Sequence, residues 1–242
     1  MKEWNYSPSR AIQQSVAENL QGFPRERDMT HTILRFLGNI FMRIFLKIYF
    51  RLKIVGKEHL PKSGNYVFIA NHSSHLDALC ILAAFPTKLI DWTFSVAAKD
   101  CFFSSFLRSF FSAVFVNALP FDRIDKKRES LEMCSAVLNV PKQVLIMFPE
   151  GTRSMTGEIQ PFKQGIGILV AGTDRLVVPA YIKGAFEAWP KNSKIPWPKH
   201  VSVIIGEPMR FSHIPRTQEG FIKVAREMEA AVKRLRSQDD EC

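Results

Sequence analysis

The chain has 242 residues, 46% of them hydrophobic, and a formal net charge of +10. That length and apolar content suit one large domain, or a domain with an appendage, and exclude a disordered chain except at the ends. The basic balance leaves three partner classes, nucleic acid, an anionic membrane or anionic small substrates, beside a solvated surface with no specific partner.

The stretch through Asp28 is charged and polar, without an early apolar core before a small-residue cleavage site, so no secretory signal is expected there. The first strongly apolar run is ILRFLGNIFMRIFLKIYFRLKIVG, Ile33 to Gly56. Arg35, Arg43, Lys47 and Arg51 interrupt it, whereas a spanning helix wants roughly 20 apolar residues with few charges. Arg43, Lys47 and Arg51 step by four, so on a helix they line one side. Ile33, Leu37, Ile40, Phe41, Ile44, Phe45 and Ile48 populate the other. No acidic residue falls between Met29 and Lys57. The pattern predicts a helix lying in a membrane interface with its cations toward anionic headgroups. The alternative is an amphipathic helix packed on its own domain. Residues 1–56 are read as the N-terminal helical membrane-association segment and 57–242 as the main domain.

Beyond Gly56, strand-like and helix-like segments alternate. YVFIA (Tyr66 to Ala70) reads as a buried strand, and HLDALCILAAF (His75 to Phe85) as a helix. WTFSVAA (Trp92 to Ala98) is a strand, FFSSFLRSFFSA (Phe102 to Ala113) an apolar helix and VFVN (Val114 to Asn117) a short strand. A helix follows over Lys127 to Val140, a buried strand over Gln143 to Phe148, and a glycine-containing helix over Lys163 to Thr173. LVVPAYI (Leu176 to Ile182) and VSVIIG (Val201 to Gly206) are strands, and Thr217 to Ser237 is a final amphipathic helix. This order predicts an α/β fold: a mostly parallel central sheet flanked by helices. The loop AWPKNSKIPWPKH (Ala188 to His200), with its prolines and tryptophans, is a rigid surface loop or a membrane-facing flap. The four cysteines, Cys80, Cys101, Cys134 and Cys242, show no paired or zinc-like spacing, which points to a reducing compartment.

Two polar motifs directly follow predicted strands, where open α/β sheets bind ligands. In NHSSHLD (Asn71 to Asp77), three readings stand open. His72, His75 and Asp77 could share a metal ion, but His31, His59, His200 and His213 lie in unrelated contexts and the shell is thin. His72 could be a general base oriented by Asp77. On an ideal helix that spacing puts them about 140° apart, so they meet only if His72 lies in a turn and Asp77 in the first helical turn. Or both could cap the helix and satisfy the core. No GxSxG elbow or other clear nucleophile accompanies them. In FPEGTRS (Phe148 to Ser154), Gly151 permits a tight turn with close backbone approach. Arg153 can grip a phosphate in a bidentate fork, and Thr152 can add a hydroxyl.

Taken together, the motifs resemble the glycerolipid acyltransferase family, most closely its PlsC-type 1-acyl-sn-glycerol-3-phosphate acyltransferases. The family's NHxSxxD block is matched by Asn71, His72, Ser74 and Asp77, and its FPEGTRS block residue by residue. LPFDR (Leu119 to Arg123) fills the place of its arginine-ending block, though without the usual glycine-led run. VVPAYI matches a valine-proline block at Val178 and Pro179, FKQG (Phe162 to Gly165) fits after the third block, and Lys99 in AAKD resembles a lysine near the phosphate site. The resemblance spans about Val55 to Pro208 and marks 57–242 as the acyltransferase domain.

It implies transfer of a fatty acyl group from an acyl thioester, acyl-CoA or acyl-carrier protein, to the free hydroxyl of lysophosphatidic acid. The alternatives are the same chemistry on glycerol 3-phosphate, another lysophospholipid or a lyso-aminolipid, or a non-catalytic membrane-binding relative. His72 would be the base and Asp77 its orienting carboxylate. Lys99, Arg123 and Arg153 would hold the phosphate, with Gly151 and Thr152 in the substrate site and Glu150 there to organise it or contact the glycerol hydroxyl rather than to act as base. No metal or redox cofactor is implied, because a thioester is already activated. An anionic membrane surface is the expected partner, nucleic acid is not, and the implied location is the cytoplasmic face of a membrane.

Overall fold

YVFIA forms a strand in which all five side chains are buried, as expected of a parallel strand covered on both faces. The computed structural model describes residues 29–62, 65–98, 118–121, 127–193 and 195–240. Lys99, Arg123, the helix predicted over 102–113 and the strand predicted over 114–117 lie outside the described residues. In chain order the elements are α1 (Met29–Tyr49), β1 (Lys53–Val55), β2 (Tyr66–Ala70), α2 (Asp77–Ala84), β3 (Thr93–Ala98), β4 (Ala118–Phe121), α3 (Lys127–Asn139), β5 (Val144–Met147), α4 (Gly165–Val170), β6 (Leu176–Lys183), α5 (Ala185–Ala188), β7 (Ser202–Ile205) and α6 (Gln218–Asp240). The seven strands form one sheet in the order β1-β7-β6-β2-β5-β3-β4. Among the described strands five pairings are parallel and one, β6 with β7, is antiparallel.

Helices cover both faces, and the strands' alternation divides the core between them. Val67 and Ile69 of β2, with Leu145 and Met147 of β5, face a layer from α3, α4 and α6: Cys134 and Val137, Ile166 and Leu169, Val224 and Met228. Tyr66 and Phe68, with Val144 and Ile146, face α1 and α2 through Met42, Leu46, Cys80 and Ile81. Such side chains stabilise the fold by about 1.5–3 kcal/mol each. At Gly167 a Cβ would fall 2.4 Å from the Phe221 carbonyl oxygen, so only glycine lets α4 approach α6 this closely.

α1 follows the predicted helix, but its cations do not share one environment. Met42, Leu46 and Phe50 are buried, and Arg43 turns inward with them. Its guanidinium donates to the carbonyl oxygens of Ala83 at 2.9 Å, Leu82 at 3.1 Å and Phe85 at 2.6 Å. These are the carbonyls that the end of α2 leaves unpaired, and a cation there also suits the helix dipole. The expectation that Arg43 faces headgroups with Lys47 and Arg51 is therefore corrected. Those two are exposed. So is the apolar row Phe36, Leu37, Ile40, Phe41, Ile44, Phe45 and Ile48, with Phe41 and Ile48 over 70% exposed, at 72% and 73%. Among the described residues no helix is long and apolar enough to cross a membrane.

β1, which the sequence reading grouped with the N-terminal segment, pairs with β7 at the sheet edge.

Candidate active site

β2 and β5 are parallel neighbours in register, with Ile69 opposite Met147. Their carboxyl ends therefore release Asn71–Asp77 and Phe148–Ser154 side by side. Two main-chain links fasten the loops together. The Ser154 N–H donates to the His72 carbonyl at 2.7 Å, and the His72 N–H donates to Glu150 Oε1 at 2.7 Å. Asn71 is buried and clips the first loop to β6. Its amide donates to the Ile182 carbonyl at 3.0 Å and accepts from the Ile182 N–H at 2.7 Å.

Within this frame His72 lies in the strand-to-helix turn, and Asp77 opens α2. Asp77 Oδ2 lies 2.8 Å from His72 Nδ1. The same oxygen accepts the N–H groups of Ser73 at 2.7 Å and Ser74 at 2.8 Å. Asp77 is wholly buried. Three donors thus fix one carboxylate oxygen, and that oxygen holds the imidazole with a proton on Nδ1. Such pairing leaves Nε2 as the basic nitrogen. The Phe148 ring stacks on His72 at 4.1 Å and 15°, locking the imidazole plane. His72 itself is only 18% exposed, so the proton acceptor is largely shielded rather than on open surface.

His75 differs in every respect. It is exposed, and its ring lies 5.0 Å from that of Trp189. Arg153 Nη1 lies 2.6 Å from both ring nitrogens. Partial burial and the Arg153 cation push its pKa below the ordinary value, favouring the neutral ring that can accept from a guanidinium. His72, His75 and Asp77 therefore do not converge on one point. Among the described residues no group of three or more histidine, cysteine, aspartate and glutamate side chains could hold a metal ion.

Glu150, expected in the substrate site as an organiser or a contact to the glycerol hydroxyl, lies beneath the His72 loop. It is 1% exposed. Oε1 is taken by the His72 N–H, and Oε2 accepts the Gln160 N–H at 3.0 Å. Burial raises its pKa to about 7. Glu150 is a brace that ties the His72 backbone to the 154–163 segment. Gly151 has φ 74 and makes the turn. A Cβ there would lie 2.6 Å from Lys163 Nζ, so glycine also makes room for that chain. Thr152 and Arg153 are half-buried, and Arg153 reaches His75. Lys163 is a cation the motif reading left without a role, although FKQG had marked its position.

The site's motifs fall within residues 51–183, which match a family model described as Acyltransferase. A Limnanthes douglasii protein named 1-acyl-sn-glycerol-3-phosphate acyltransferase is 30% identical over 164 residues, covering 65% of this chain and 56% of that protein. A Saccharomyces cerevisiae protein of the same name is 33% identical over 147 residues, covering 54% of this chain and 46% of that protein. The chain spans about half the length of the curated relatives it matches. Among solved structures, the Thermotoga maritima 1-acyl-sn-glycerophosphate acyltransferase PlsC superposes with a TM-score of 0.62 at 22% identity. The match covers 95% of this chain and 94% of that one, which shows the shared fold.

Proposed function

The chain belongs to the acyltransferase family, and on that premise we propose that it moves a fatty acyl group from an acyl thioester to the free hydroxyl of 1-acyl-glycerol 3-phosphate, giving phosphatidic acid. One observation carries the reading: the imidazole of His72, held at Nδ1 by a buried carboxylate, presents Nε2 at the carboxyl ends of β2 and β5. The names of the curated relatives support the acceptor.

In the mechanism, His72 Nε2 takes the proton of the acceptor hydroxyl as its oxygen attacks the thioester carbonyl. The imidazolium is stabilised by Asp77. Collapse of the tetrahedral adduct forms the ester and breaks the C–S bond, and the proton on Nε2 passes to the leaving thiolate. Arg153 holds the acceptor phosphate, joined by Lys99 and Arg123 on the strength of their motif positions. Thr152 adds a hydroxyl, and Glu150 keeps the His72 loop in place. Acyl-CoA and acyl-carrier protein are both chemically competent donors.

The acceptor is a lipid, so the site must meet a bilayer. The exposed apolar row of α1 is the anchor, with Lys47 and Arg51 meeting anionic headgroups on the cytoplasmic face. The test is purified protein assayed with lysophosphatidate, glycerol 3-phosphate and other lysophospholipids, each with both donor types. Turnover highest with lysophosphatidate is expected. Turnover confined to glycerol 3-phosphate, or to an acceptor without phosphate, would replace this reading.

A further inference from the structure

The segment after α5 folds back on itself. The Trp189 indole N–H donates to the Ser193 carbonyl at 3.0 Å, the Ser193 hydroxyl donates to the Ile195 carbonyl at 2.8 Å, and the Trp197 N–H donates to the Ala188 carbonyl at 2.8 Å. Pro190, Pro196 and Pro198 stiffen it further. A loop ordered to this degree could tuck its apolar side chains inward, yet Ile195 is 68% exposed and Trp197 64%. Its position ties it to α1. The Tyr49 hydroxyl donates to the Pro196 carbonyl at 3.2 Å, and Arg51 Nη1 lies 2.7 Å from His200 Nε2. The exposed loop residues are thus continuous with the end of the helix that exposes Phe45 and Ile48. Lys191 and Lys199 are exposed around them, and no acidic residue occurs between Ala188 and Gly206.

We propose that Ile195 and Trp197 form a second lipid-contacting surface, which together with α1 seats the protein on an anionic bilayer. The proposal rests on the membrane reading of α1 given above. Tryptophan flanked by lysines suits the headgroup level, where an apolar ring and cations are both satisfied. The occupant is a bilayer rather than a protein because Lys191 and Lys199 flank the apolar residues, no acidic residue occurs between Ala188 and Gly206, and the apolar residues continue those of α1. The same segment reaches the site at its other end. The Trp189 carbonyl accepts from the Ser74 hydroxyl at 2.7 Å, and the Trp189 ring packs on His75. A bilayer touching Trp197 therefore lies against the loop that packs on His75, the neighbour of Arg153, on the side from which a lipid acceptor would reach Arg153.

The experiment uses the full chain and vesicles of phosphatidylcholine with phosphatidylglycerol, without acyl donor or acceptor. Sedimentation of the double variant Ile195→Ser with Trp197→Ala should show binding about ten- to hundred-fold weaker than wild type. Its turnover on a short-chain, monomeric lysophosphatidate should stay within about twofold of wild type, since the chemistry is untouched. Brominated lipids should quench the wild-type fluorescence, and Trp197→Phe should remove that quenched component. Unchanged vesicle binding in the double variant, or unchanged quenching in Trp197→Phe, would overturn the proposal and leave the patch to another partner. Phe41→Ser with Ile48→Ser, run in parallel, tests the anchor itself. If only that variant loses binding, the loop proposal fails and the α1 reading stands; if wild type does not bind, both fail. Absence of turnover with lysophosphatidate would count against the proposed reaction without moving the vesicle readouts.

Discussion

Around His72 the chain buries polar groups, and along α1 it leaves large apolar ones in water. Asn71, Ser73, Asp77 and Glu150 are buried while Phe41 and Ile48 are among the most exposed apolar side chains described. Both departures carry a cost, and each is offset in its own way. Asn71, Glu150 and the Oδ2 oxygen of Asp77 are held by named hydrogen bonds, while Asp77 Oδ1 is buried without one among the described residues. The bonds that are made fix the geometry at one imidazole. Among the described residues nothing covers Phe41 or Ile48, a cost that an external apolar phase would relieve. On the proposed function the first region serves chemistry and the second location, and perturbations should separate them.

The largest effect should come from Asp77→Asn. It removes the charge behind the imidazolium and should lower kcat by about 10²–10⁴-fold, while vesicle binding stays at the wild-type level. Loss of both activity and vesicle binding would mean the two regions are not separable.

Arg153→Ala should raise the KM for lysophosphatidate about ten- to hundred-fold, the range for losing one or two charge-assisted hydrogen bonds of roughly 1.5–3 kcal/mol. The donor KM should move little. An equal loss with an acceptor lacking phosphate would remove Arg153 from phosphate binding.

Glu150 probes how far the polar region depends on its brace. Its carboxyl titrates near 7 instead of the ordinary 4.5, so the folded state holds the proton more tightly than the unfolded one. This contribution to stability is fully present below 4.5 and is lost as pH rises to about 7. Melting temperatures of wild type and Glu150→Gln, taken from pH 4.5 to 8, should therefore diverge across that window, the wild type losing ground as pH rises. Parallel curves would place the Glu150 pKa at its ordinary value.

The smallest effects distinguish cations along α1. Lys47→Glu or Arg51→Glu should each weaken binding to anionic vesicles by roughly fivefold at low salt, from about 1 kcal/mol per basic residue near the surface. High salt should erase the difference. Arg43→Glu should instead lower the melting temperature, because it unpairs the carbonyls at the end of α2. A vesicle effect from Arg43→Glu without a melting change would return Arg43 to the surface.

Legibility in the sequence followed the same divide. β2, β5 and β6 stood out because strands buried on both faces read as continuous apolar runs. β1 did not, since a three-residue edge strand with half-exposed side chains leaves no such run. For α1, periodicity located the helix and its two faces. It could not show that Arg43 turns inward, because that is decided by carbonyls some 40 residues away in sequence. The pairing of His72 with Asp77 was readable, as the turn-to-helix boundary falls between them. The partners of Glu150 were not, because they are the backbone N–H groups of His72 and Gln160, which no side-chain pattern records.

The central claim is that His72, rather than its neighbour three residues on, is the base. The measurement is kcat for His72→Ala and His75→Ala with lysophosphatidate and an acyl thioester, beside a melting curve for each. The account predicts a loss of at least about 10²-fold for His72→Ala with the fold retained. For His75→Ala it predicts a smaller change, felt chiefly in the acceptor KM through Arg153. Near-normal turnover in His72→Ala together with abolished turnover in a folded His75→Ala would contradict it.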